Sequence, residues 1–244
     1  MERIKLICIP HAGAGVNYYS LLKKRLLPEI EICPIELPGR GRRARESLIE
    51  EFDLAIEDLF KQAASICHKE RRYAIFGHSL GSVCAYELAH MLAERGYGSA
   101  SYLFLSGQAP VDHFVMEKKH EKVNDEFRED IVQLGGVAEE IMAHGELAEM
   151  MMHIVLADFK IMHSYRYQSR PVKLGCDIIT FNGEEDPYVS PNIIGMWGYH
   201  TTGVHHQYMY EGGHFFINRW IRDIASKINK AIMGVNYENG AGQG

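Results

Sequence analysis

Two rhythms of apolar and polar positions alternate along most of this chain. Ile4-Lys5-Leu6-Ile7-Cys8-Ile9 is an almost unbroken apolar run ended by Pro10, which predicts a first strand. Tyr18 to Leu27 reads as an amphipathic helix, and Glu31 to Leu37 as a second strand cut by Pro38-Gly39. Leu48 to His68 carries Phe52, Ile56, Leu59, Phe60 and Ala63 at helical spacing. Tyr73-Ala74-Ile75-Phe76 predicts a short buried strand, and Ser82 to Ala89 a helix with small residues turned to the sheet. Further strands are expected at Ser101 to Ser106, Cys176 to Phe181 and His205 to Tyr210. Helices are expected from about Pro191 and over Ile217 to Met233. Strands alternating with helices predict an α/β fold with a mostly parallel sheet covered on both faces.

Between Asp112 and about Tyr167 this rhythm stops, and the stretch is rich in charge and methionine. Helices inserted here would form a lid over the edge of the sheet. Met142, Met150, Met151, Met152 and Met162 fall near helical periodicity. They either pack the lid onto the body or line an adaptable apolar pocket for an acyl chain, since methionine accepts variable shapes. Residues 1–235 are expected to form one domain with the lid at about 112–167. The tail 236–244 lacks apolar residues and is expected to be disordered.

Composition narrows the class. The 244 residues suit one α/β domain with a single large core. With 46% hydrophobic and 24% charged residues, the chain is neither disordered nor fibrous. A formal charge of −6 argues against an extended nucleic-acid surface. The five cysteines are scattered without C-x-x-C spacing, which fits buried, reduced thiols. With a strand beginning at Ile4, no signal peptide is expected, and no apolar run approaches the roughly 20 residues that span a bilayer. A cytoplasmic protein without a membrane partner is expected.

The chemistry centres on Gly77-His78-Ser79-Leu80-Gly81, a G-x-S-x-G pattern between a predicted strand and a predicted helix. That context makes it a nucleophile elbow, whose sharp turn lifts the serine hydroxyl above the sheet. A Cβ at position 77 or 81 would crowd the neighbouring strand and helix. A serine hydroxyl needs a base, and a base needs an orienting acid, which follow in the order acid then histidine. Of the 13 histidines, His214 sits on a Gly-Gly turn just after the last predicted strand, above the same sheet edge as Ser79. His78 is expected to point away from Ser79, and His200, His205 and His206 lie before or within the strand. Asp186, held by Pro187 beyond the preceding strand, is the expected acid; Glu184 and Glu185 are its rivals. The oxyanion needs preorganised N–H donors, expected at Leu80 and at Ala12 in the small-residue loop Pro10-His11-Ala12-Gly13. That loop lacks a G-K-[ST] continuation, and the histidines show no metal-ligand spacing, so neither cofactor nor metal is expected.

With these residues placed, the chain resembles the type II thioesterases, the free-standing editing enzymes of nonribosomal peptide and polyketide synthesis. The resemblance runs from about Leu6 to Ile232. It rests on Pro10-His11-Ala12-Gly13, Glu36-Leu37-Pro38-Gly39-Arg40-Gly41, the elbow, Ser106-Gly107 with Ala109-Pro110, and Ala157-Asp158-Phe159. Gly183 with Asp186-Pro187, Trp197 near His200-Thr201, and Gly212-Gly213-His214-Phe215-Phe216 complete it. Ala14, Val16 and Gln108 depart from the family's more usual residues. The resemblance implies an α/β-hydrolase fold with a helical lid. It further implies hydrolysis of acyl groups held as thioesters on the phosphopantetheine arm of acyl- or peptidyl-carrier proteins. Ser79, Asp186 and His214 would carry catalysis, with Ala12 and Leu80 as the oxyanion hole. The enzyme is expected to be a monomer. Carrier proteins are usually acidic, so Arg40, Arg42, Arg43 and Arg45 either form a docking patch or simply make a solvated loop. A medium-chain acyl-carrier thioesterase, a small-ester carboxylesterase and a non-catalytic binding protein of the same fold are the alternatives.

Overall fold

Six of the apolar runs become six parallel strands of one sheet. The structure is a computed structural model that describes residues 3–67, 72–114, 120–136 and 145–234. The strands are β1 (Ile4–Ile9), β2 (Ile30–Pro34), β3 (Tyr73–His78), β4 (Tyr102–Ser106), β5 (Asp177–Gly183) and β6 (His205–Tyr210). Their order is β2-β1-β3-β4-β5-β6, every pair parallel. The chain runs outward from β1 to β2, then returns to the other side of β1 for β3. That reversal between β1 and β3 opens a crevice at the carboxyl ends of the strands, where α/β proteins place their ligands.

Register brings distant loops to that same edge. His78 pairs with Ser106, Ser106 with Phe181, and Gly183 with Tyr210. The residues following β3, β5 and β6 therefore all emerge above one end of the sheet. β5 extends two residues past the predicted run because Asn182 and Gly183 pair with Met209 and Tyr210.

Alternation along the strands feeds two cores. Ile7, Ile9, Ile75, Leu103, Leu105 and Ile178 pack under α2 (Phe52–Ile66) and α3 (Leu80–Glu94). Leu6, Cys8, Phe76, Phe104, Ile179 and Phe181 pack on the opposite face against α7 (Phe216–Met233) through Ile217, Ile224, Ile228 and Ile232. Each such side chain contributes about 1.5–3 kcal/mol on full burial, so the period-two pattern settles which face each residue takes. α3 is apolar on nearly every side, as a helix wedged between sheet and outer layer must be.

The expected helix over Tyr18 to Leu27 is much shorter. A 3-10 turn at Val16–Tyr19 leads into a single α-turn, α1 (Ser20–Lys23). Pro28 disfavours helical backbone at Leu27, and only Tyr19 and Leu22 of these turns are buried. β2 stops at Pro34 rather than Leu37, its last bond to β1 being the Ile35 N–H on the Cys8 carbonyl at 3.0 Å, and as an edge strand it tolerates the proline. The helix from Pro191 is one α-turn, α6 (Pro191–Ile194), continued as a 3-10 helix over Gly195–His200.

The insertion holds two described helices, α4 (Asp125–Leu134) and α5 (Gly145–Ser164). Asn124 caps α4 by accepting the Phe127 N–H at 2.9 Å. Phe127, Ile131, Met152, Val155, Leu156 and Phe159 form a small third core between the two helices, and Ala12 of the loop after β1 packs against it. The last turns of α5 join the main core through Ile161 and Met162. Met152 and Met162 are thus packing residues, whereas Met150 faces solvent. Met142 and the tail 236–244 lie outside the described residues.

Candidate active site

Ser79 sits between the end of β3 and the start of α3 with φ 55° and ψ −121°. It is the one non-glycine residue of positive φ among those described. Such a conformation costs about 1–3 kcal/mol and persists only where its surroundings over-determine it. Here the Ser79 N–H donates to the Ser106 carbonyl at 2.8 Å. Ser82 Oγ lies 2.9 Å from the carbonyls of Gly77 and Ser106 and accepts the Ser106 N–H at 3.0 Å. Both flanking glycines are required by space. A Cβ on Gly77 would fall 2.1 Å from the Gly81 carbonyl oxygen, and one on Gly81 2.1 Å from that of Ile9.

The three residues expected to act together are brought together. Ser79 Oγ donates to His214 Nε2 at 2.9 Å, and His214 Nδ1 donates to Asp186 Oδ2 at 2.8 Å. The other carboxylate oxygen of Asp186 accepts the Tyr188 N–H at 2.9 Å. His214 and Asp186 are both buried. The rivals Glu184 and Glu185 are exposed, and only their backbone is used. Their N–H groups donate to the carbonyls of Tyr210 at 2.8 Å and Gly212 at 3.1 Å, stitching the turn after β5 to the turn after β6.

Two further imidazoles border this line. His78 is fully buried and turned away from Ser79, with Nδ1 3.0 Å from Ser106 Oγ and its ring 5.3 Å from that of His214. Burial, reinforced by His214 and His11, holds its pKa well below the ordinary range. His11 packs edge-on against it at 5.9 Å and is lowered to about 4, chiefly by burial and then by the nearby His214 and Arg40. Both rings are therefore neutral around pH 7. Only His214 has the serine on one nitrogen and a carboxylate on the other. His200 lies in a separate cluster, bonded to Tyr86 Oη and Asp112.

The loop after β1 has nearly all its polar groups engaged. The Ala14 N–H donates to the His11 carbonyl at 3.1 Å, His11 Nδ1 donates to the Ala12 carbonyl at 2.8 Å, and the Gly13 N–H donates to Asp158 Oδ2 at 2.6 Å. None of the hydrogen bonds among the described residues uses the Ala12 N–H. Leu80 is the first residue of α3, so its N–H has no acceptor within the helix. These two donors flank the crevice between β1 and β3, where the α3 N-terminus also favours negative charge.

The arginine cluster is not one patch. Arg40 is buried and forks onto Asp158, with Nη2 2.7 Å from Oδ1 and Nη1 close to Oδ2. Arg43 is committed to Asp58 and Glu46. Only Arg42 and Arg45 are exposed. Buried Glu36 explains the rest of the motif: its carboxylate accepts the N–H groups of Val16 and Arg42, both at 2.9 Å, and so shapes the turn. Sequence reading assigned no role to Asp158, although an aspartate amid the apolar positions Val155, Leu156, Phe159 and Met162 of one helix demands a buried partner.

No cysteine competes as nucleophile. All five are unpaired, and burial pushes the thiols of Cys67 and Cys176 up to about 12 and also raises those of Cys8 and Cys84 well above the ordinary range. A cleft of about 340 Å³ opens between Val111, Asp112 and Phe114 after β4 and Met162, Tyr165 and Tyr167 at the end of the lid. It includes none of the three residues of the Ser-His-Asp line. Among the described residues no helix is long and apolar enough to cross a membrane.

Comparison with known proteins gives the family and the fold. The sequence profile of the thioesterase domain family matches residues 4–232. The chain is 28% identical to thioesterase PikA5 of Streptomyces venezuelae, over 94% of this chain and 81% of that protein. Its fold superposes on ClbQ of the colibactin NRPS/PKS pathway with a TM-score of 0.90 at 30% identity, covering 96% of this chain and 98% of the other. The type II thioesterase BorB of the borrelidin biosynthetic cluster gives a TM-score of 0.85 at 29% identity, covering 94% and 93%.

Proposed function

From the premise that the chain belongs to the thioesterase family and resembles the type II enzymes of nonribosomal peptide and polyketide pathways, we propose that it is an editing hydrolase. Its substrates are acyl and aminoacyl groups held as thioesters on the phosphopantetheine arm of carrier proteins. The observation that carries the mechanism is the unbroken line from Ser79 Oγ through His214 to Asp186, with contacts of 2.9 and 2.8 Å.

Ser79 Oγ attacks the thioester carbonyl carbon while its proton passes to His214 Nε2. Asp186 keeps the other imidazole proton on Nδ1 and stabilises the imidazolium, without taking the proton itself. The carbonyl oxygen becomes an oxyanion held by the N–H groups of Ala12 and Leu80. Collapse expels the pantetheine thiolate, which is protonated by His214. Water then gives its proton to His214 Nε2 and attacks the acyl-serine. The second tetrahedral species collapses, Ser79 recovers its proton, and a carboxylic acid leaves. The balance is thioester plus water to acid plus free thiol. A thiolate leaves readily, so a modest electrophile-activating site suffices.

The carrier supplies the phosphopantetheine, so no other cofactor enters. Within the 40–45 cluster, Arg42 and Arg45, exposed beside the turn that Glu36 shapes, are the cations available to an acidic carrier. In this reading the enzyme works in the cytoplasm, as a monomer that visits successive carriers. Mass spectrometry of carrier proteins loaded with a panel of acyl groups, before and after incubation, tests the reading. Loaded carriers should be stripped by the wild type and untouched by Ser79→Ala. Strong preference for a simple aryl ester over every loaded carrier would overturn the editing role in favour of a carboxylesterase.

A further inference from the structure

Asp158 lies on the lid helix α5, far in sequence from the elbow, yet it is fully buried beside the loop after β1. Its Oδ2 accepts the Gly13 N–H at 2.6 Å, and its carboxylate is gripped at both oxygens by Arg40. The Gly13 N–H belongs to the Ala12–Gly13 peptide, whose carbonyl accepts His11 Nδ1 at 2.8 Å. One peptide plane is thus held at both ends, by the lid through its N–H and by His11 through its carbonyl. The preceding peptide carries the Ala12 N–H, and its carbonyl is tied to Ala14. With its neighbours fixed this way, the Ala12 N–H has no acceptor in the hydrogen bonds among the described residues.

We propose that Asp158 is a positioning residue, which anchors the Ala12–Gly13 peptide from the lid and so aims the Ala12 N–H at the oxyanion. Arg40 is the buried counter-ion whose two contacts pair and orient this carboxylate. The lid is thereby coupled to catalysis: moving α5 away from the body withdraws the anchor, and the oxyanion donor loses its direction. This inference rests on the Ser79 thioesterase reading given above. It differs from a purely structural role, in which the ion pair stabilises the lid and affects every ligand alike.

The test compares two pantetheine ligands. An acyl-pantetheine trifluoromethyl ketone forms a hemiketal: Ser79 Oγ adds to the ketone carbon, its proton passes to His214 Nε2, and the ketone oxygen becomes the oxyanion. A thioether analogue of the same acyl group binds without forming one. Loss of an aimed oxyanion donor costs on the order of 10- to 100-fold. Asp158→Ala should weaken the ketone by about that factor, lower kcat by a similar factor, and leave the thioether affinity and KM within about threefold. Asp158→Asn, whose amide oxygen can still accept the Gly13 N–H, should recover most of the loss.

An uncompensated Arg40 can unfold the single variant, so Arg40→Met/Asp158→Leu provides a second route. It removes both charges, leaves nothing to hold Gly13, and should show the same selective loss of the ketone. Equal weakening of both ligands, or of neither, overturns the anchoring role. Wild-type enzyme is labelled in parallel with a fluorophosphonate. Failure to label Ser79 would sink the thioesterase reading and this inference with it. Labelling with an unchanged ligand ratio in the variants would sink the inference alone.

Discussion

Gly183 and Gly212 touch backbone to backbone: a Cβ on Gly183 would fall 2.4 Å from the Gly212 carbonyl oxygen. This contact joins the turn after β5 to the turn after β6, and it delivers Asp186 to His214. Gly183→Ala must push the two turns apart. We expect kcat to fall by about 10- to 100-fold as the 2.8 Å contact opens, since misplacement of about 1 Å carries that cost. The thermal midpoint should fall as well. Steady-state kinetics beside a melting curve checks this, and wild-type kcat in the variant would remove the turn-to-turn contact from the account.

Ser79→Ala should abolish hydrolysis, by about four orders of magnitude or more, while the circular dichroism spectrum stays that of the wild type. Asp186→Asn keeps the shape of the side chain but frees the His214 tautomer, and its kcat should fall by about 10⁴. Should Asp186→Asn remain active, Glu184 and Glu185 become the acids to replace next.

His11 and His78 make folding sensitive to acid. In the folded chain His11 stays neutral down to about 4 and burial holds the pKa of His78 well below the ordinary range, whereas both take up a proton near 6.5 once unfolded. Between about pH 6.5 and 4 the unfolded chain therefore binds more protons, and stability is lost as the pH falls through that window. Above it neither group contributes. Urea midpoints measured from pH 7 to 4.5 should decline steeply, and His78→Asn should flatten the decline. A midpoint that does not move between pH 7 and 5 contradicts the neutral state of these rings.

The exposed arginines give a prediction about partners. Arg42→Glu/Arg45→Glu should raise KM for a loaded carrier protein several-fold, with the effect shrinking at high salt. Turnover of free acyl-pantetheine should stay near that of the wild type. Arg43, already bound to Asp58 and Glu46, has no such free charge to offer. Equal losses on the carrier and on the free thioester would point to damage at the turn rather than to docking.

Local pattern was enough to read much of this protein. The strand before Ser79, the glycines at 77 and 81, and the loops bearing Asp186 and His214 are all sequence-local features, because period, turn chemistry and steric need act over a few residues. The same locality explains what could not be read. The helix after Gly15 shrank because tertiary burial, not propensity, decides where a short amphipathic stretch stops. The run of arginines looked like one basic patch, but folding brought Asp158 from 118 positions away onto Arg40 and left only Arg42 and Arg45 outside. Chain order set which residues stand at the strand ends beside Ser79. Which buried charges pair, and hence what holds the loop after β1, was decided by contacts that exist only once the sheet and the lid have packed, where an unpaired charge is too costly to leave.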